Sequence, residues 1–264
     1  MKYLVALLVS FSLSITIYAQ DPVYRTVNNL NGLPSNIVYN IMQDEKGFIW
    51  IGHDKGLSKF DGKRFFNFVA TKQKGRAVSN ILDAGDKIYC QDFSGNFYYT
   101  ANDSLLAIDN LKPYNFNNAG ILNKNTHVSF TIDHIRFLNI STNQVTSRKI
   151  NDKVTYANFF TPNKGYFLTD KSIITFSENH FSEKKIDLLG ESFFYLIKAD
   201  SQFYLFKKAD YNNVYTIVGN TIKPVMLFKE KLFVQNVDLI NDEIWIATSK
   251  GAYCFNKDLT PKYN

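Results

Sequence analysis

Two stretches of this chain, 195 residues apart, are partial copies of each other. Ile49-Trp50-Ile51-Gly52-His53-Asp54-Lys55-Gly56-Leu57-Ser58-Lys59-Phe60 and Ile244-Trp245-Ile246-Ala247-Thr248-Ser249-Lys250-Gly251-Ala252-Tyr253-Cys254-Phe255 agree at six of twelve positions. The shared residues include the chain's only two tryptophans, Gly56 and Gly251, and Phe60 and Phe255. The offset is five times 39, and one step of 39 from Trp50 reaches Tyr89. There Gly95 and Tyr99 again follow the aromatic by six and ten places. A period of this length means a fold built from stacked units, because one such unit cannot bury its own apolar face.

Between the strong copies the signal fades to spacing. Phe130, Phe167 and Tyr204 continue the aromatic series from Tyr89 to Trp245 in steps of 41, 37, 37 and 41. Each strong unit reads as strand, tight turn, strand. Residues 48–51 form a short continuous apolar run, as in a strand covered on both faces. His53-Asp54-Lys55-Gly56 is a polar hairpin loop that Gly56 can close with a positive φ. Residues 57–60 return, Asp61-Gly62 turns again after the Gly47 and Gly52 positions upstream, and residues 63–68 and 37–43 supply two further strands. Four short strands every 39 residues match the blade of a β-propeller. The expected fold is therefore all-β, a propeller of four-stranded blades with about six blades visible. An aromatic content of 16%, with 23 Phe and 16 Tyr, agrees with that class. In it the tryptophans need no ligand, since a ring at one place per blade fills the space against the next.

The first twenty residues read differently. Met1-Lys2 makes a positive start, residues 3–17 are almost wholly apolar or hydroxyl-bearing, and Ala19 offers a small residue for cleavage before Gln20 or Asp21. This is the pattern of a secretory signal peptide over 1–20, which leaves 21–264 as the propeller domain, periplasmic or extracellular after cleavage. No second apolar stretch long enough to span a bilayer follows. The formal charge of +6 is modest, and its Lys and Arg are scattered apart from residues 72–76, so no nucleic-acid partner is expected. Cys90 and Cys254 could pair in an oxidising compartment, but buried free thiols are the favoured reading.

Residues 32–62, from Gly32-Leu33-Pro34-Ser35-Asn36 through Asp44-Glu45-Lys46-Gly47-Phe48-Ile49-Trp50-Ile51-Gly52 to Gly56-Leu57 and Asp61-Gly62, resemble the two-component regulator propeller repeat. The likeness is dense there, partial over 244–255 and architectural between. It implies the extracytoplasmic sensor region of a bacterial, Bacteroidetes-type receptor, with a histidine kinase or transcriptional output in a missing or separate module. The family's rings usually close with seven blades, so six units imply a truncated copy, with a complete six-bladed ring as the alternative. A strand over 23–27 is expected to latch the last blade.

No catalytic constellation is legible. His53, His127, His134 and His180 stand apart from metal-ligand spacings, and His53 reads as a solvated loop residue. There is no nucleophile elbow and no phosphate-binding loop. Asp44-x-x-Gly47-x-x-Trp50 is similar to a sialidase-type aspartate box, but its Asp-to-Gly spacing is one residue too long, and Leu239 stands where a second Asp is required. Neither an enzyme nor a cofactor or metal is therefore expected. Binding remains, through loops at one end of a central channel, with Tyr114-Asn115-Phe116-Asn117-Asn118 and Tyr211-Asn212-Asn213 as the aromatic and amide-rich candidates. The reading is a ligand-sensing propeller for an extracytoplasmic cue such as a glycan or peptide, with possible dimerisation. The alternative is a secreted binding scaffold without signalling output.

Overall fold

The computed structural model describes residues 26–263 apart from 71–75, 110, 112–118, 179, 208–211 and 230–231. Its strands fall into six antiparallel sheets of four. Blade 1 comprises β1 (Val38–Gln43), β2 (Ile49–His53), β3 (Gly56–Phe60) and β4 (Phe65–Phe68), and blade 2 comprises β5 (Val78–Asp83), β6 (Ile88–Asp92), β7 (Phe97–Ala101) and β8 (Ser104–Ala107). Blade 3 holds β9 (Ala119–Asn123), β10 (Thr126–Phe130), β11 (His134–Asn139) and β12 (Val145–Lys149). Blade 4 holds β13 (Val154–Thr161), β14 (Lys164–Thr169), β15 (Ser172–Phe176) and β16 (Phe181–Lys185). Blade 5 is β17 (Tyr195–Ala199), β18 (Gln202–Phe206), β19 (Asn213–Val218) and β20 (Thr221–Met226), and blade 6 is β21 (Val234–Ile240), β22 (Glu243–Thr248), β23 (Gly251–Asn256) and β24 (Pro261–Tyr263). Among the described residues the one helical element is a 3-10 turn over Asn29–Asn31. The chain is a six-bladed β-propeller, as the repeat requires.

Sequence explains the blade from inside outwards. The second strand is buried along almost its whole length in β2, β6 and β10, which is why it reads as a continuous apolar run. The fourth strand is exposed, as in Val145–Lys149 and Phe181–Lys185, and its sequence is correspondingly polar. Within a sheet, directly opposed residues share a face. Trp50 lies opposite Met42 and Lys59, while Ile51 lies opposite Ile41 and Ser58. Each blade thus has one face carrying the ring and one carrying smaller apolar side chains.

Ring and socket meet at every boundary from blade 1 to blade 6. Trp50, Leu57 and Phe68 pack on Ile81, Ile88, Cys90 and Tyr98 of blade 2. Tyr89 and Phe97 pack on Ala119 and Leu138 of blade 3. Val128 and Phe130 meet Phe167 and Phe176 of blade 4, Tyr166 and Leu168 meet Leu196 and Leu205 of blade 5, and Tyr204 and Phe206 meet Ile244 and Ile246 of blade 6. Burial of one such side chain contributes about 2–3 kcal/mol.

Three expectations need correction. Phe167 is on the face turned to the preceding blade, and its neighbour Tyr166 carries the ring toward the next. With Val128 taken as the blade 3 position, the series is 50, 89, 128, 166, 204, 245, so blade 3 fills the place with a valine and puts Phe130 two residues along on the same face. His53 is not solvated: it is 1% exposed. The expected strand over 23–27 falls mostly outside the described residues, and Thr26 and Val27 are not in a strand. The segment 1–20 likewise lies outside them.

Candidate functional site

The first strands of consecutive blades lie side by side along the axis. The hairpins that follow them therefore gather at one end of the channel they surround. Those of blades 1 to 4 enclose a cleft of about 740 Å3, lined by Glu45, Asp83, Asp86, Ile121, Lys124, Asn125, Phe160 and Pro162 among others. Its rim is built by local hydrogen bonds. Asp83 accepts from the backbone amide of Glu45 in blade 1 at 3.1 Å and from that of Gly85 at 2.8 Å, which ties the first two hairpins together. Outside the cleft lining, Glu178 of blade 4 accepts from Thr126 Oγ1 at 2.6 Å and Asn123 Nδ2 at 2.8 Å in blade 3, which ties those two blades together. These two donors hold the Glu178 carboxyl below the usual carboxylate range.

The cleft offers carboxylate and carbonyl acceptors, one lysine and the apolar surface of Ile121 and Phe160. That set suits hydrogen bonding and stacking with a polar ligand. It has no nucleophile paired to a base, and no cluster of three metal-ligating side chains occurs among the described residues.

Asp44 and Trp50, the box-like pair, do structural work beside this cleft. Asp44 accepts from the amides of Lys46 and Phe48, and from Trp50 Nε1 at 2.7 Å. Gly47 donates to the Asp44 carbonyl at 2.9 Å. The carboxylate folds the hairpin and fixes the ring that enters the boundary with blade 2. In blade 6 Glu243 takes over, accepting from Trp245 Nε1 at 3.2 Å.

At the opposite end, in blades 1, 4 and 6, the residue before the tight turn caps it. His53 Nδ1 accepts from the Lys55 amide at 3.1 Å, which leaves Nε2 as the donor to Ser58 Oγ at 2.8 Å; Ser58 Oγ then donates to Asn67 Oδ1. Burial lowers the His53 pKa. Thr169 and Thr248 accept the equivalent amides of Lys171 and Lys250. Gly56 and Gly251 follow at φ of 133° and 135° and pair with His53 and Thr248. Gly95 differs, lying inside the longer turn from Asp92 to Asn96. Phe60 stacks on Phe65, whereas Phe255 is buried against Phe228.

Sequence reasoning missed one aromatic group at this end. First strands β1, β5, β13 and β21 shift register near their starts, and such irregularities re-aim side chains. Tyr39, at the shift in β1, meets Phe93 edge-on at 4.5 Å, and both rings are about two-fifths exposed. A bulge leaves no mark in a 39-residue period, so nothing in the sequence pattern singles out Tyr39. Of the loops proposed from sequence, 114–118 and Tyr211 lie outside the described residues. Asn212 spends its side chain on the Phe228 carbonyl at 3.3 Å. Cys90 and Cys254 are both free and buried, and burial pushes both thiols up.

No curated protein sequence matches the chain. Solved structures do. An extracellular domain assigned to the one component system BT4673 of B. thetaiotaomicron aligns with a TM-score of 0.66 at 15% identity over 88% of this chain. An extracellular domain assigned to the hybrid two component system BT3049 of the same organism aligns at 0.62 and 17% over 90%. Virginiamycin B lyase from Staphylococcus aureus aligns at 0.65 and 12%, over 83% of this chain and 80% of the lyase. At these identities the likeness is one of fold, and this chain spans 33% and 36% of the two B. thetaiotaomicron chains. The sequence relationship lies in the first blade, where residues 32–55 match the two component regulator propeller. The chain is a β-propeller whose first blade matches the two component regulator propeller over residues 32–55.

Proposed function

We propose that residues 21–264 form the ligand-sensing propeller of an extracytoplasmic signalling receptor, reached after cleavage of a signal peptide over 1–20. It binds a cue outside the cytoplasm and relays it to a histidine kinase or transcriptional module. The match of residues 32–55 to the regulator propeller carries this reading, and the likeness to extracellular domains of two signalling systems supports it. The cleft between the hairpins of blades 1 to 4 is the binding site in this proposal. Its mixture of acceptors with Phe160 suits a glycan or a polar peptide.

Two measurements test the reading. A fusion of the whole chain to alkaline phosphatase is expected to be active in cells, because that enzyme needs an oxidising compartment to form its disulfides. The purified chain is expected to gain thermal stability with one member of an oligosaccharide and peptide panel, as ligand linkage requires, and to lose that gain in Lys124→Ala. An inactive fusion, or a panel that shifts wild type and Lys124→Ala alike, would overturn it.

A further inference from the structure

The cleft between the hairpins of blades 1 to 4 does not end at the channel. Asn123, Lys124, Asn125 and Pro162 line it and also line an adjoining hollow of about 450 Å3, which Asn163 and Glu178 complete. Glu178 in turn shares a third hollow of about 300 Å3 with Thr126, Phe137, Asn139, Gln144 and Thr146. The shared residues make the three hollows one trough. It runs from the channel outward along the boundary between blades 3 and 4, over the hairpins that follow β9, β11, β13 and β15. From β9 to β12 the sheet spans three strand spacings, about 14 Å.

The chemistry of the trough restricts what fills it. Past Lys124 the only charged side chain is Glu178, whose carboxylate already accepts from Thr126 and Asn123. The free polar groups are carboxamides. Asn125, Asn163 and Gln144 are exposed and, among the described residues, make no side-chain hydrogen bond. Asn123 and Asn139 differ, since their oxygens accept amides of their own turns, from Asn125 and from Ser141 and Thr142. A carboxamide presents a donor and an acceptor side by side, the complement of the C=O and N–H of a peptide group. The outer hollows offer no free ring for stacking on a sugar, because Phe137, their one aromatic side chain, is packed edge-on against Phe176 and Phe181.

We propose that the trough holds an extended, uncharged stretch of polypeptide, which lies from the cleft across blade 3 to Gln144. This rests on the cleft being the binding site, and it adds the class of the ligand and its length. At about 3.3 Å per residue an extended chain covers 14 Å with about four residues. A ligand with two residues in the cleft and four beyond it therefore reaches Gln144. The Glu178 bridge fixes the two walls of the trough before the ligand arrives, so less ordering is required on binding.

The probes are end-blocked peptides of two, four, six and eight residues drawn from Ser, Thr, Asn, Gln, Gly and Tyr, arrayed for binding by the full chain. Neutral gluco-, manno- and xylo-oligosaccharides of matched length share the array, and the best peptide is followed in solution by fluorescence polarisation. Its affinity is expected to rise by about tenfold or more from two residues to six, a gain of roughly 1.4 kcal/mol, and to stay level at eight. In Gln144→Ala the gain is expected to stop at four residues, with the melting temperature unchanged because this side chain has no partner in the fold. Lys124→Ala is expected to weaken every length alike. An affinity already complete at two residues, or one length profile for wild type and Gln144→Ala, overturns the trough and leaves the cleft as the site. Oligosaccharides binding in place of peptides overturn the peptide assignment alone. An array with no binder, or binding indifferent to Lys124→Ala at every length, overturns the cleft reading and this inference with it.

Discussion

His127 sits in the boundary between blades 2 and 3 with neither ring nitrogen hydrogen-bonded. It is fully buried, with Tyr89 tilted over it at 5.5 Å and Phe97 edge-on at 5.0 Å. Its pKa is lowered to about 3, and desolvation is the cause. The sign of the pH effect follows. Above pH 6.5 the imidazole is neutral in the folded and unfolded chain and contributes no slope. Between 6.5 and 3 the unfolded chain binds a proton that the folded chain refuses, so stability falls as the pH falls. The slope is about 1.4 kcal/mol per pH unit, or roughly 2.7 kcal/mol by pH 4.5 and about 5 kcal/mol by pH 3. A domain with about 5–15 kcal/mol of total stability would feel that loss.

The perturbation is His127→Phe, a ring among rings. It removes the proton-binding site, and also the buried N–H that lacks an acceptor, a group costing about 1–3 kcal/mol. Urea unfolding of wild type and variant at pH 7.5, 6, 5 and 4.5 measures both effects. The variant is expected to be the more stable at pH 7.5 and to gain further on wild type at each step down. The carboxylates are common to both proteins, so their contribution cancels in the difference. A difference that stays constant from pH 7.5 to 4.5 would refute the argument. His127→Leu is the companion variant, should the larger Phe ring crowd Tyr89.

Three further outcomes are expected. Gly52→Ala would place its Cβ 2.5 Å from the Val78 carbonyl oxygen of blade 2, so about 2–3 kcal/mol of stability is lost to overpacking, read by urea midpoint. Asp44→Ala leaves the Trp50 indole N–H without its acceptor and two hairpin amides uncapped, costing about 2–4 kcal/mol in the same assay, with the Trp50 environment changed in near-ultraviolet circular dichroism. Cys90 and Cys254 are expected to resist an aromatic disulfide reagent in the native chain at pH 8 and to react in guanidinium, because burial holds both thiols protonated; one mole of disulfide under non-reducing conditions contradicts this.

The repeat was legible where two demands coincide on one residue. At Trp50 and Trp245 the ring fills or faces a boundary while its N–H is held by an acidic side chain of the preceding hairpin, Asp44 or Glu243. A large ring with a donor satisfies both, so the residue type recurs. In blades 3 and 4 only volume is required. Val128 with Phe130 supplies it in one and Tyr166 in the other, and an aromatic count then drifts to Phe167 on the wrong face.

Turn capping shows the same separation of role from residue type. His53, Thr169 and Thr248 each accept the amide two residues ahead, and an imidazole nitrogen serves as well as a hydroxyl. Taken as a letter, His53 beside Thr248 looks like a free choice at a solvated tip; taken as an acceptor at that backbone position, it is the same residue. The cleft was less legible still, since it draws on hairpins after β1, β5, β9 and β13, and Glu45, Asp83, Lys124 and Phe160 come together only once the period is wrapped around an axis. Within a single blade each of them is an ordinary turn residue. A repeat fold therefore announces its packing positions along the chain, whereas the residues that line one end of its channel lie across it, at one register in successive blades, where side chains are free to differ from blade to blade because no packing demand repeats there.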